Sequence, residues 1–138
     1  MTPRRFSIVA AVVLAMVLLV TGICLVNGAL RIGAPFPGFL VAENRTVFSI
    51  GRPGWSIEAL PRAFFSQVIA VDGRPITRPG EIQAAVAAHP VGTEVQYRFR
   101  KGADIFAAGV RTQAFSAGDF FAVYGTYAIV GLGYALTG

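Results

Sequence analysis

Cysteine and histidine are almost missing from this sequence: Cys24 and His89 are the single examples in 138 residues. One cysteine excludes an intramolecular disulfide framework and a cysteine-built metal centre. One histidine excludes the paired histidines of a His-Glu-x-x-His zinc motif, and with them a complete site-two-type metalloprotease within these residues. A Ser-His-Asp triad would have to recruit His89, and no Gly-x-Ser-x-Gly elbow accompanies it. Phosphate-loop and dinucleotide fingerprints are also absent. The carboxylates are scattered, with Asp72 in a predicted turn and Glu81 at a predicted helix start. The expectation is no enzyme within these residues and no cofactor or metal.

Charge is the next scarcity. Only 14% of residues are charged, against about 25% in a soluble domain. Setting Arg4 and Arg5 aside leaves ten Lys/Arg against seven Asp/Glu, dispersed as single residues. A nucleic-acid surface needs a basic patch or stripe, so no nucleic-acid partner is expected.

Two uncharged blocks account for the deficit. Phe6 to Val26 contains no ionisable group apart from the Cys24 thiol and follows Arg4-Arg5. A helix of that length rises about 30 Å, the hydrocarbon thickness of a bilayer. Residues 1–5 are therefore expected to be cytoplasmic by the positive-inside tendency, and residues 6–26 to span the inner membrane. A cleaved signal peptide ending near Gly28 is the competing reading, but the run exceeds the roughly 7–15 apolar residues of a signal core. The twin arginines also invite a Tat reading, with Phe6 directly behind them. A lipoprotein reading of Thr21-Gly22-Ile23-Cys24 meets Ile23 where a small residue is required. Cys24 then reads as a small apolar residue in a helix.

Residues 119–138 form the second predicted span. Phe120, Phe121 and Tyr124 at its start suit an interfacial belt, and Gly125, Gly131 and Gly133 would permit helix–helix association. No Lys or Arg follows, so this span is expected to be truncated and the chain to be the amino-terminal piece of a longer protein.

Between the blocks lies enough chain for one small domain. Gly28, Gly33, Pro35, Pro37 and Gly38 mark residues 27–38 as a linker and possible ligand loop. Phe39-Leu40-Val41 and Thr46 to Ile50 are predicted strands, and Gly51-Arg52-Pro53-Gly54 a turn. Ser56 to Leu60 could form one helical turn with Ser56 as cap, limited by Pro61. Trp55 reads as a partly buried anchor, with ligand stacking the other possibility. Gln67 to Ile76 predicts two short strands about an Asp72-Gly73 hairpin turn. Pro79 suits a first helical turn, Glu81 complements the helix dipole, and Pro90 stops the helix. Ile82, Ala85 and Val86 share one face of it. His89 falls at its carboxyl end and reads as a cap or surface residue. Glu94 to Arg100 alternates strictly between apolar and polar residues, and Ile105 to Phe115 supplies the return strand of a second hairpin.

Three blocks together resemble the second half of a bacterial PDZ domain: Gln67-Val-Ile-Ala-Val-Asp-Gly-Arg-Pro-Ile, the helix from Glu81 to Ala88, and Pro90-Val-Gly-Thr-Glu-Val-Gln-Tyr-Arg-Phe-Arg-Lys-Gly. The resemblance implies an α+β fold, a small PDZ-like partly open β-barrel or sandwich with one main helix, over residues 39–118 and flanked by transmembrane helices. Gln67 departs from the family's usual Asp. It also implies a groove for an extended peptide or a protein C-terminus. Phe39, Val41, Ile82 and Val86 would line it, and Gly38 would supply a backbone donor. Phe36-Pro37-Gly38-Phe39 is similar to a Gly-Leu-Gly-Phe carboxylate loop, although Pro37 has no N–H to donate; an exit linker with a buried Phe is the other reading.

The whole layout is similar to the sensing region of bacterial multi-span signalling proteins of the histidine-kinase type. The expected function is thus a membrane-anchored, non-catalytic, extracytoplasmic binding or sensing module with the lipid bilayer as one partner. The alternatives are a structural spacer in a membrane protease or transporter, or a cleaved, secreted periplasmic binding protein.

Overall fold

The computed structural model of the protein describes Pro3 to Thr137. It is α+β, with one long amino-terminal helix and two small antiparallel sheets. Two compact units divide it: Gly33–Phe115 is one, and the residues through Ile32 together with those from Ser116 form the other.

Helix α1 runs Pro3–Ala29. Its Ile8–Ala29 stretch is long and apolar enough to cross a membrane. The helix therefore continues beyond the predicted end at Val26, because Asn27 donates its side-chain amide to the Ile23 carbonyl (2.9 Å) instead of breaking the ladder. The expectations for the cytoplasmic tail and for the far end of the second span include Met1, Thr2 and Gly138, which lie outside the described residues.

In the same unit the chain is helical without interruption from Ala117 to Thr137, as α3 (Ala117–Phe120), one π-helical stretch (Phe121–Gly125) and α4 (Thr126–Thr137). Ser116 starts it: its Oγ accepts from the Asp119 N–H (3.1 Å), and Asp119 accepts in return from the Ser116 N–H (2.8 Å). This reciprocal cap satisfies donors that a helix start leaves orphaned. Within this unit a close helix contact falls at Gly28, where a Cβ would stand 2.9 Å from the Tyr124 ring.

The Gly33–Phe115 unit is built on the second hairpin. β4 (Glu94–Lys101) and β5 (Asp104–Arg111) pair along their whole length about the Gly102-Ala103 turn. Along β4 the alternation in sequence becomes alternation in burial: Val95, Tyr97 and Phe99 are buried while Glu94, Gln96, Arg98 and Arg100 are exposed. β2 (Gln67–Val71) lies on the other side of β4 and turns through Asp72-Gly73 into β3 (Arg74–Pro75). Asp72 and Gly73 take φ of 47° and 78°, the paired left-handed values of a type I′ turn. The sheet order is β3-β2-β4-β5.

Helix α2 (Pro79–Ala87) buries Ile82 and Val86. The Glu81 carboxylate accepts from the N–H groups of Thr77 (2.8 Å) and Arg78 (3.3 Å) and from the Thr77 hydroxyl (3.0 Å). Those hydrogen bonds hold the Glu81 carboxyl below its ordinary value of 4.5.

The second sheet is a short pair of β1 (Pro35–Phe36) and β6 (Gln113–Ala114). The expected partly open barrel is thus two separate sheets that do not close. The expected strands at Phe39–Val41 and Thr46–Ile50 reduce to isolated bridges, Val41 with Val47 and Thr46 with Gln67. The expected turn after Trp55 is a pair of 3-10 turns, Ser56–Ala59 and Pro61–Ala63. Ser56 does not cap it: its hydroxyl donates to the Arg111 carbonyl (2.7 Å).

Candidate functional site

Phe36 to Ala42 lies at the far margin of the bridged strands and contains three of the five expected ligand residues. Their side chains and main chains play different parts. Phe39 is 2% exposed, and its ring meets Tyr97 edge-on at 5.2 Å. Ile82 and Val86 on α2 are 2% and 0% exposed. These three residues are buried and belong to the core. Val41 is half-buried.

Gly38 and Phe39 are buried, main chain included, and the main chain at Val41 is the part of this stretch with some exposure. Ala42 N–H donates to the Thr46 carbonyl and Phe48 N–H to the Leu40 carbonyl, both at 2.9 Å. Val41 therefore occupies a non-hydrogen-bonded position opposite Val47, and its own N–H and C=O point away from that neighbour. Among the described residues nothing hydrogen-bonds to the main chain of Phe39 or Val41. That leaves one half-buried bridge residue, Val41, with an unpaired main chain, while Phe39 lies buried in a bend.

Gly38 sits at the head of this stretch with φ 79°. Its carbonyl accepts from Ile57 N–H at 3.4 Å, and a Cβ there would stand 3.0 Å from both Gln113 Oε1 and Ser56 Cβ. Only glycine suits both the conformation and the space. Ser56 N–H donates to Gln113 Oε1 (3.0 Å), and Gln113 Nε2 donates to the Gly54 carbonyl (2.7 Å). Gln113 thereby pins the loop behind Gly38. Gln83 on α2 donates to the Pro35 carbonyl at 3.0 Å and ties the helix to β1. Trp55 is buried against Phe36 (4.9 Å between ring centroids), an anchoring contact. No local pattern marks Gln113, Ser56 or Gln83 in advance, since each acts across tens of residues.

His89 and Asp72 come together, which their separate positions did not foretell. His89 Nε2 lies 2.8 Å from Asp72 Oδ2, and Asp72 Oδ1 accepts from the Gln96 N–H at 3.0 Å. The pair joins the end of α2 to the β2–β3 turn. Nearby, the buried Tyr97 hydroxyl has no partner among the described residues. Burial first, and the Asp72 charge second, push its phenol well above the usual tyrosine range. Among the described residues no group of three or more His, Cys, Asp or Glu could hold a metal ion.

No protein-family model matches the chain, and no curated protein matches it in sequence.

Proposed function

We propose that this chain is a membrane-anchored, non-catalytic, PDZ-like module that binds an extended peptide or a protein C-terminus as an added strand along Phe39 to Val41. The observation that carries the reading is the unpaired main chain of half-buried Val41, on the side of the Val41–Val47 bridge away from Val47. An incoming strand would pair with it by β-augmentation, the mode in which backbone hydrogen bonds supply affinity. Gly38 would contribute its N–H at the head of the stretch, and Pro37 contributes none. Further support comes from the element order: a β1–β6 pair around a hairpin, then one helix, then a second hairpin.

α1 is the anchor in this proposal. The Ala117–Thr137 helical run, about 30 Å long at 1.5 Å per residue, is the return span. Arg4 and Arg5, in the first turn of α1, support a cytoplasmic amino terminus and a Gly33–Phe115 unit on the extracytoplasmic side of the inner membrane. The module would then be the sensing part of a larger signal-transduction protein.

The test is amide-resolved NMR of the full chain in nanodiscs, titrated with random decapeptides bearing free carboxyl ends. Shifts at Phe39, Leu40 and Val41 are expected. Binding that shifts only the β5 side of the sheet would refute the assignment. A structural spacer is the second reading, and one specific observation favours it: Phe39, Ile82 and Val86 are all committed to the core. Under that reading no peptide shifts any amide.

A further inference from the structure

The opposite margin of the four-stranded sheet is β5, and it is built differently. Thr112 N–H donates to the Thr93 carbonyl at 2.8 Å, continuing the register that sets Arg111 opposite Glu94. Thr112 therefore faces β4, and counting back by twos so do residues 110, 108, 106 and 104. The main chains of Ile105, Ala107, Gly109 and Arg111 face outward. The Arg111 carbonyl is already taken by the Ser56 hydroxyl. Ile105, Ala107 and Gly109 remain, with no main-chain partner among the described residues.

An edge of this kind is normally blunted by a charge, a proline or a bulge. From Ile105 to Val110 β5 has no charged residue and no proline, and its pairing with β4 runs without a register shift. Ile105 is 60% exposed. We propose that this edge pairs with the same edge of a second copy, antiparallel, about a two-fold axis at Ala107.

Three features make the edge complementary to itself. The outward set is symmetric about Ala107, so Ile105 meets Gly109 of the second copy, Ala107 meets Ala107, and Gly109 meets Ile105. All three pairs are then hydrogen-bonded pairs, and no residue on either side loses a bond to β4. The branched Ile105 side chain stands opposite a glycine, and the two alanines at the axis let the chains close without steric conflict. Charge agrees as well. The Glu94 carboxylate lies over Gly109, in the space a Cβ would fill, and so reaches toward the margin. Arg98 stands beside Ala107, whereas Arg100 turns the other way and donates to Gln67 on β2. The two-fold brings each Glu94 carboxylate toward Arg98 of the other copy. An isologous contact of this sort closes as a dimer and goes no further.

Cysteine cross-linking of the full chain in membranes tests the register, on a Cys24→Ser background. Ala107→Cys places two thiols on one hydrogen-bonded pair, whose Cα separation of about 5.5 Å suits a disulfide. Ile105→Cys leaves the two thiols about 14 Å apart. Mild oxidation is expected to give at least tenfold more dimer from Ala107→Cys than from Ile105→Cys. Ala107→Pro removes one outward N–H and no bond to β4, and is expected to cut the dimer fraction counted by single-molecule photobleaching at least fivefold. Equal cross-linking at both positions, the pattern of random collision or of association through the helices alone, overturns the proposal. So does a dimer fraction that Ala107→Pro leaves unchanged, or an edge occupied by a different protein's strand.

Discussion

Replacing Gly38 with alanine tests whether the head of the Phe39–Val41 stretch is held as described. Two costs add. The residue sits at φ 79°, where a side chain costs about 1–2 kcal/mol in the left-handed conformation. The new methyl would also stand 3.0 Å from Gln113 Oε1 and Ser56 Cβ. Relieving that crowding breaks the hydrogen bond between Ser56 N–H and Gln113, worth about 0.5–1.5 kcal/mol net. The sum is about 1.5–3.5 kcal/mol. Gly73→Ala is the matched control: its φ is 78°, and nothing lies within 4 Å of its Cβ position. It bears the conformational cost alone. The entropy that alanine removes from the unfolded chain is common to both and cancels in the comparison. The sole tryptophan, Trp55, is 6% exposed and adjoins Ser56, so its fluorescence reports unfolding of this unit in urea. With a slope of about 2 kcal/mol/M, a difference of about 1 kcal/mol separates the two midpoints by about 0.5 M. Equal midpoints for Gly38→Ala and Gly73→Ala would refute the packing of Gln113 and Ser56 behind the loop.

Phe39→Ala is expected to cost about 3–5 kcal/mol through the cavity left beside Tyr97 and Phe99, with Val41→Ala costing far less, as urea midpoints would record. Tyr97→Phe removes a buried hydroxyl without a partner and is expected to leave stability unchanged or raise it by about 1 kcal/mol; a loss above that size would reveal a partner for the hydroxyl. Glu81 has a lowered pKa, so its contribution to the start of α2 is present above 4.5 and fades as pH falls below that value through the folded one. Amide exchange at Thr77 and Arg78 should accelerate over that acid range, and Glu81→Gln should abolish the pH dependence.

The parts of the fold that could be read from sequence are those decided within a few residues. Asp72-Gly73 specifies its own turn because both positions need positive φ. Glu94 to Arg100 reads as a strand because one face of a pleated ribbon is buried and the other is wet. Three side chains of the expected groove lie in the core for an equally physical reason. Phe39, Ile82 and Val86 are apolar, and an apolar residue satisfies a ligand pocket or a core with the same chemistry. For Phe39, what separated the two was the ring cluster of Tyr97 and Phe99, some sixty residues further along the chain. The strands about Val41 and Val47 were overestimated, since only single bridges form there and Val47 is buried while Phe48 and Ile50 are exposed. The His89–Asp72 contact depends on where α2 ends relative to a turn 17 residues earlier. Gly28 became the close-contact glycine because it meets Tyr124, a matter of helix phase that glycine spacing alone does not set.

The way the Gly33–Phe115 unit is tied off has a mechanical consequence. Gly33 N–H donates to the Phe115 carbonyl at 2.8 Å, and Phe115 N–H donates to the Ala34 carbonyl at 2.9 Å. The two ends are neighbours on antiparallel strands, so a force drawing the flanking segments apart loads these bonds one after another, as a zip opens. The rupture would run from Gly33 and Phe115 through the Pro35–Ala114 and Phe36–Gln113 pairs and split the Phe36–Phe115 ring contact. The β3-β2-β4-β5 sheet would carry none of that load at first. The domain therefore has a weak seam at its base: a small lateral separation of its tethers peels away β1, and the Gly38 loop that follows β1, before it strains the sheet.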